Sequence, residues 1–307
     1  MDISCNVTSI ETQTGINSSI YHQVKMVSMC VSCTVNTALS VPLLLVITRS
    51  PSLLRHTRFL LLTHLLLCEN LQQLLWTIKA ILLRSREAMP LTQCMIFCSA
   101  IQACSLVNLF LTTALSADRF VAVKWPLRYE FLMCPQRKRA TVAAIWTLSA
   151  VLSSVALGIG LYSVQINFTL PRCRPLILTP CLLGTSALVL YSTVATAVLV
   201  PLCSLTILGC FCLLCWDMRA GPLCTKRGCV TLSLQVAQVI LFSVPMVMNS
   251  YLIPGYLHSD ALDIAATIIY NLGVSLIPLV YGYRSRELQQ RIQRAALWSK
   301  VHNQNVS

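Results

Sequence analysis

Apolar residues dominate seven long runs of this chain, and short polar stretches separate them. The runs fall near residues 25 to 49, 57 to 83, 91 to 121, 140 to 163, 184 to 215, 229 to 253 and 262 to 283. Each holds about 20 residues or more, which as a helix rising 1.5 Å per residue spans a hydrocarbon core roughly 30 Å thick. The pattern predicts an all-α membrane protein, a bundle of seven transmembrane helices over 25–283. The flanks are a polar tail, 1–24, and a closing segment, 284–307. Within that segment Leu288, Ile292, Ala295 and Ala296 recur at helical spacing with Arg291 and Arg294 opposite. This is the signature of a short amphipathic helix lying on the lipid surface.

Composition agrees with a bilayer as solvent. Hydrophobic residues make up 56% of the 307 and charged residues only 11%, against about 25% charged in a soluble domain. The net charge of +13 raises the question of nucleic acid, but the basic residues stand in short clusters between apolar runs, so no continuous phosphate-binding surface is expected. Topology accounts for them better. With the N-terminus outside, 17 of the 23 Lys and Arg face the cytoplasm, as the positive-inside rule requires. Seven crossings also put the termini on opposite sides. The first 24 residues hold no Lys or Arg and lack a signal-peptide pattern, so they read as an uncleaved extracellular tail. Asn6-Val7-Thr8, Asn17-Ser18-Ser19 and Asn167-Phe168-Thr169 are glycosylation acceptors on that same outer side.

Most of the 16 cysteines lie inside apolar runs and read as small buried hydrophobes. Cys210-Phe211-Cys212-Leu213-Leu214-Cys215 has no His or acid beside it, so packing, with acylation of Cys215, is expected rather than a metal. Cys94 differs: it stands 25 residues before Arg119, about 37 Å along a helix, which puts it at the opposite membrane face, where thiols oxidise. Lys79, near the outer end of the second run, is expected to snorkel to the headgroups.

Chemistry-bearing residues are few. Asp118 and Arg119 are the first ionised groups after the uncharged stretch Met95 to Leu115, placed to pair at the bilayer boundary as a breakable lock. Glu69 is an acid deep in the second run, where an ionised carboxylate costs several kcal/mol unless partnered. On the residues alone, a proton and a hydrogen bond to Asn70 or Asn108 would accommodate it.

Asp118-Arg119-Phe120 followed by Pro126-Leu127-Arg128-Tyr129, with Pro278-Leu279-Val280-Tyr281, Arg284 and Glu287 at the end of the seventh run, resembles the rhodopsin-type (class A) G-protein-coupled receptors. Trp146 in the fourth run fits the same class, and the Pro-Leu-Arg-Tyr continuation is similar to vertebrate odorant receptors. Phe120 replaces a Tyr of that pattern, Ile277 an Asn and Val41-Pro42 a Gly-Asn, and Leu54 to Phe59 lacks the usual Pro, which marks a divergent member. The resemblance implies a plasma-membrane receptor that binds a small ligand and activates a heterotrimeric G protein. Asp118, Arg119, Phe120, Pro278 and Tyr281 then form the coupling switch. Ile101, Gln102, Ser105 and Leu106 face the ligand, and Glu69 with Asn108 forms a sodium-like polar site. Cys94 pairs with Cys181, or alternatively with Cys173. The pocket stretch holds no acid to meet an amine, so a small, mostly apolar, odorant-like ligand is expected. A non-olfactory orphan receptor of the same class is the alternative. A transporter or channel is more remote, since no internal repeat and no second intramembrane charge lines a pathway. No arrangement for enzyme catalysis appears.

Overall fold

The computed structural model describes residues 18–86, 89–163, 169–170 and 186–219, with 264, 265, 267–269, 271 and 273 in addition. Five long helices account for most of them: α1 Ser18–Thr48, α3 Thr57–Arg86, α4 Leu91–Lys124, α6 Pro135–Ser163 and α7 Ser186–Arg219. They coincide with the first five apolar runs. The expected span 229–253, most of 262–283 and the amphipathic helix after 284 lie outside the described residues.

Two short helices make the turns between spans. α2, Pro51–Leu54, and α5, Pro126–Leu132, each open on a proline at the first helical position. There the fixed φ of proline suits a helix and its missing N–H costs nothing. Helix α1 begins seven residues before the expected edge of the first run. Tyr21 explains this, because its ring is buried and Lys25 lies 5.4 Å from the ring centre one turn later. Pro42 in α1 and Pro201 in α7 sit inside continuous helices. The Ser40 hydroxyl, two residues before Pro42, donates to the Asn36 side chain at 3.3 Å.

Helix α4 is the centre of the described bundle, packing on α3, α6 and α7, while α1 packs on α3. Half of its apolar stretch is buried, against 22% for α6 and α7, which turn most of their side chains outward. Leu43, Ile47, Leu53, Leu65, Leu66, Leu111 and Leu115 join α1, α2, α3 and α4 in one apolar core towards the Arg119 end. By length and composition α1, α4, α6 and α7 are apolar enough to cross a membrane. Helix α3 is as long but carries Glu69, Asn70, Gln72 and Gln73 at its middle, and Glu69 and both glutamines are buried against its neighbours. Its polarity therefore faces protein rather than lipid.

A strand pair not foreseen in the sequence lies at the Cys94 end. β1, Met89–Pro90, and β2, Thr169–Leu170, run antiparallel with Met89 opposite Leu170 and Pro90 opposite Thr169. Two residues per strand are too short for any alternation pattern to betray them. The pair ties the chain entering α4 to the segment that follows α6.

Candidate functional site

At the far end of α4, Asp118 is buried and accepts a hydrogen bond from the Tyr129 hydroxyl at 2.8 Å. The contact exists because α4 stops at Lys124 and α5 restarts at Pro126, folding the chain back by eleven residues. Arg119, Lys138 and Arg58 act electrostatically on the same carboxylate. Successive helical residues project in diverging directions, so Asp118 can turn inward to Tyr129 while Arg119 is half-exposed beside it. Burial pushes the Tyr129 phenol up to about 12, and the neighbouring Asp118 charge adds to the shift. The phenol therefore keeps its proton, and its donor role, throughout the physiological range. Phe120 stacks edge-on against Trp125, ring centres 6.0 Å apart, and braces the end of the helix.

A polar seam runs through the middle of the bundle. Asn108 Nδ2 donates to Gln72 Oε1 at 2.7 Å, and Gln72 Nε2 donates to Ser105 Oγ at 2.8 Å, bolting α3 to α4. Gln73 Nε2 donates to Asn271 at 3.2 Å, and Asn36 of α1 donates to Asn70 at 3.5 Å. Glu69 stands within this seam, 1% exposed, yet neither carboxylate oxygen meets a hydrogen-bond donor among the described residues. The Oδ1 atom of Asn108 and the Oε1 atom of Gln73 are in the same position. The hydrogen bonds expected for Glu69 go elsewhere: Asn108 gives its amide to Gln72, and Asn70 gives its own to the Leu66 carbonyl at 2.7 Å. The glutamines had not been singled out; two adjacent amides one turn after an intramembrane acid were the signal that could have found them.

The ligand-facing residues expected on α4 divide. Ile101 and Leu106 are buried, and Gln102 is half-buried. Ser105 is engaged, donating to the Ile101 carbonyl at 3.0 Å while accepting from Gln72. It belongs to the seam rather than to an open wall. Lys79 does not snorkel. It is 5% exposed, with its ammonium 4.8 Å from the Trp76 ring centre and 3.6 Å from Cys98 Sγ, because an aromatic face can hold a cation inside the bundle.

Cys94 is disulfide-bonded. Every other described cysteine is free, so its partner lies outside the described residues, as do both candidates, Cys173 and Cys181. Pro278 and Tyr281 of the expected switch, and the glycosylation acceptors Asn6, Asn17 and Asn167, also lie outside them.

Long apolar helices wrapped around a buried polar seam define a multi-pass helical membrane protein. Residues 40–269 match the family model described as 7 transmembrane receptor (rhodopsin family), and the chain belongs to that family, the rhodopsin-like class A G-protein-coupled receptors. Its members are signalling receptors rather than enzymes. The chain is similar to human olfactory receptor 2AG2, 28% identical over 191 residues, which cover 58% of each chain. It is also similar to human olfactory receptor 10G4, 28% identical over 197 residues covering 60% of each. A shorter stretch of 74 residues is 36% identical to the canine histamine H2 receptor, covering 23% of this chain and 20% of that one. The match to the two olfactory receptors thus spans about three-fifths of their length.

Proposed function

We propose that the protein is an odorant-receptor-like receptor of the plasma membrane, with its N-terminus outside, that binds a small, mostly apolar ligand and activates a heterotrimeric G protein. The observation that carries this reading is the Asp118-Tyr129 hydrogen bond beside Arg119, a releasable contact at the end of the central helix, in the motif through which this family couples. The sixth and seventh spans, 229–253 and 262–283, complete a seven-helix bundle, and an amphipathic eighth helix follows from 284. Ligand binding works only if it favours the open bundle over the resting one by differential affinity. The ligand would lie towards the Cys94 end, against Ile101, Gln102 and Leu106, beneath a loop pinned by the Cys94 disulfide. Cys181, 20 residues before Pro201, is the preferred partner over Cys173.

A sodium ion fits the middle of the bundle. Glu69 Oε1 and Oε2 with Asn108 Oδ1 are buried oxygen acceptors with no donor among the described residues, the donor set a hard cation takes. Bound there, it would supply the positive charge that a buried carboxylate lacks, while Glu69 and Asn108 would hold α3 to α4 through it.

The test is second-messenger production beside surface expression. Arg119→Ala is expected to abolish coupling, a loss of more than about tenfold, and to leave ligand binding intact, because the pocket lies most of a membrane thickness away. Full coupling by a well-expressed Arg119→Ala protein would end the G-protein reading. A non-olfactory receptor of the same class is the second reading. Pro42, Ile277 and the altered turn at 54–59 favour it, and transcript confined to tissues other than olfactory epithelium would select it.

A further inference from the structure

We propose that Cys68 of α3 and Cys104 of α4 form a redox-modification site, a buried thiol pair that a neutral, membrane-permeant peroxide closes into a disulfide, stapling the two helices beside the polar seam and holding the receptor at rest. Both thiols are free and buried, 0% and 4% exposed. Cys68 Sγ donates to the Cys104 carbonyl at 3.4 Å, and the two thiols also interact directly. A disulfide sets its sulfurs about 2.05 Å apart and its Cβ atoms about 3.8 Å apart, so two helices that already bring their thiols together need mainly side-chain rotation to make one. Leu65, Leu66, Val107 and Leu111 share the apolar cluster of the pair and fix the helices around it.

A thiolate is the reactive form of cysteine, and an apolar core suppresses it, which leaves an ordinary buried cysteine inert. This pair has different neighbours. Glu69 follows Cys68 in sequence and acts on it electrostatically, and Asn108 stands one helical turn after Cys104. The Glu69 carboxylate and Asn108 Oδ1 are buried oxygens with no donor among the described residues, so each cysteine has an acceptor for a thiol proton within its own turn of helix. One sulfur hands its proton to such an acceptor, attacks an oxygen of the peroxide and breaks the O–O bond. This leaves a sulfenic acid and a hydroxide, which takes the proton back as water. The second thiol then attacks the oxidised sulfur; the S–S bond forms, the S–O bond breaks, and the departing oxygen leaves with the thiol proton as a second water. Two thiols and one hydrogen peroxide give one disulfide and two waters, the sulfurs losing the two electrons that the peroxide gains. No charge is left in the hydrocarbon.

The bond would replace exchangeable contacts by a fixed one. The Asn108–Gln72 and Gln72–Ser105 hydrogen bonds that join α3 to α4 can trade partners when a bundle rearranges, whereas a covalent staple cannot. Cys104 lies on the helix that ends in the Asp118 contact, so a receptor oxidised in its resting arrangement stays there. That effect on coupling rests on the receptor reading above; the bond itself does not.

The experiment treats the full receptor in phosphatidylcholine nanodiscs with hydrogen peroxide, blocks the remaining thiols with N-ethylmaleimide, and maps an unreduced digest by mass spectrometry. Ligand-independent nucleotide exchange on a purified heterotrimeric G protein is read beside it. The wild type is expected to yield linked peptides carrying Cys68 and Cys104 over minutes to hours, and to lose roughly half or more of its exchange activity. Cys104→Ala is expected to keep its exchange activity under the same treatment and to leave Cys68 as a sulfenic acid that a dimedone probe traps. A wild type with no linked pair, or with one only after unfolding, would overturn the proposal. So would a linked pair that leaves exchange unchanged, or equal inhibition of Cys104→Ala, which would trace the effect to another cysteine. Should that variant fail to fold, the peptide map and exchange activity of the wild type before and after peroxide decide. An untreated receptor that drives no exchange sinks the G-protein reading instead, and the peptide map still decides the bond.

Discussion

Glu69 and Asp118 are both acids buried in long apolar helices, 1% and 4% exposed, but their surroundings are opposite. Asp118 has a hydroxyl aimed at it and three cations around it at the bilayer edge. Glu69 meets no hydrogen-bond donor among the described residues, and the amides of Asn70 and Asn108 go to the Leu66 carbonyl and to Gln72. Burial alone therefore does not say what an acid is for. Where a donor is supplied by a separable element, here α5, the acid can act as a latch. Where no donor reaches the carboxylate, a proton or a cation must accompany it, since an unaccompanied charge there costs several kcal/mol.

The widest separation between the two regions is expected from Asn108→Leu. The substitution strips a donor from Gln72 and loosens α3 from α4. Interhelical hydrogen bonds in membranes average about 0.6 kcal/mol and reach about 1.7, so losing this bond and disturbing the next should destabilise the receptor by about 1–2 kcal/mol. Thermal unfolding in detergent checks it. An unchanged midpoint would mean that the seam is a set of independent bonds rather than a clamp.

Glu69→Gln sharpens the contrast by keeping the shape and deleting the charge. If sodium accompanies the carboxylate, salt at tenfold above its dissociation constant stabilises the wild type by about 1.4 kcal/mol, and the variant loses that increment. Sodium and choline chloride at matched ionic strength separate ion binding from screening. A wild type equally stable in both salts would make Glu69 a protonated group.

How far the sequence revealed this arrangement depended on the length scale of the signal. Five helices followed from apolar runs, because lipid demands about 20 uninterrupted residues and imposes little else. The seam was only half visible: Glu69 stood out as a charge, whereas Gln72 and Gln73, uncharged amides in an apolar run, gave no hint of which would bridge to α4 and which to Asn271. Lys79 misled because snorkelling is the usual fate of a lysine near a helix end, and only the position of the Trp76 ring decides otherwise. The partner of Asp118 was hidden for another reason. Arg119, adjacent in sequence, acts on the carboxylate through its charge, whereas the Tyr129 hydroxyl arrives only through the break at Trp125 and Pro126.

The smallest expected effect belongs to that latch. Tyr129→Phe keeps the ring and deletes one hydroxyl, so it removes the bond to Asp118 without altering the packing of α5. The phenol is partly exposed, which discounts a bond to a charged group to about 0.5–1 kcal/mol. If the bond holds the resting state, ligand-independent signalling should rise roughly two- to fivefold at equal surface expression. Acidity sets a second condition. The phenol's pKa is raised in the folded protein from about 10 to about 12, so its contribution is complete below pH 10 and is lost as pH rises through 12. Resting activity should therefore not titrate through Tyr129 at neutral pH, and the ratio of variant to wild type should stay flat on either side of it. A ratio of one at every pH would show that the hydroxyl is a passive contact and that the restraint on Arg119 lies elsewhere.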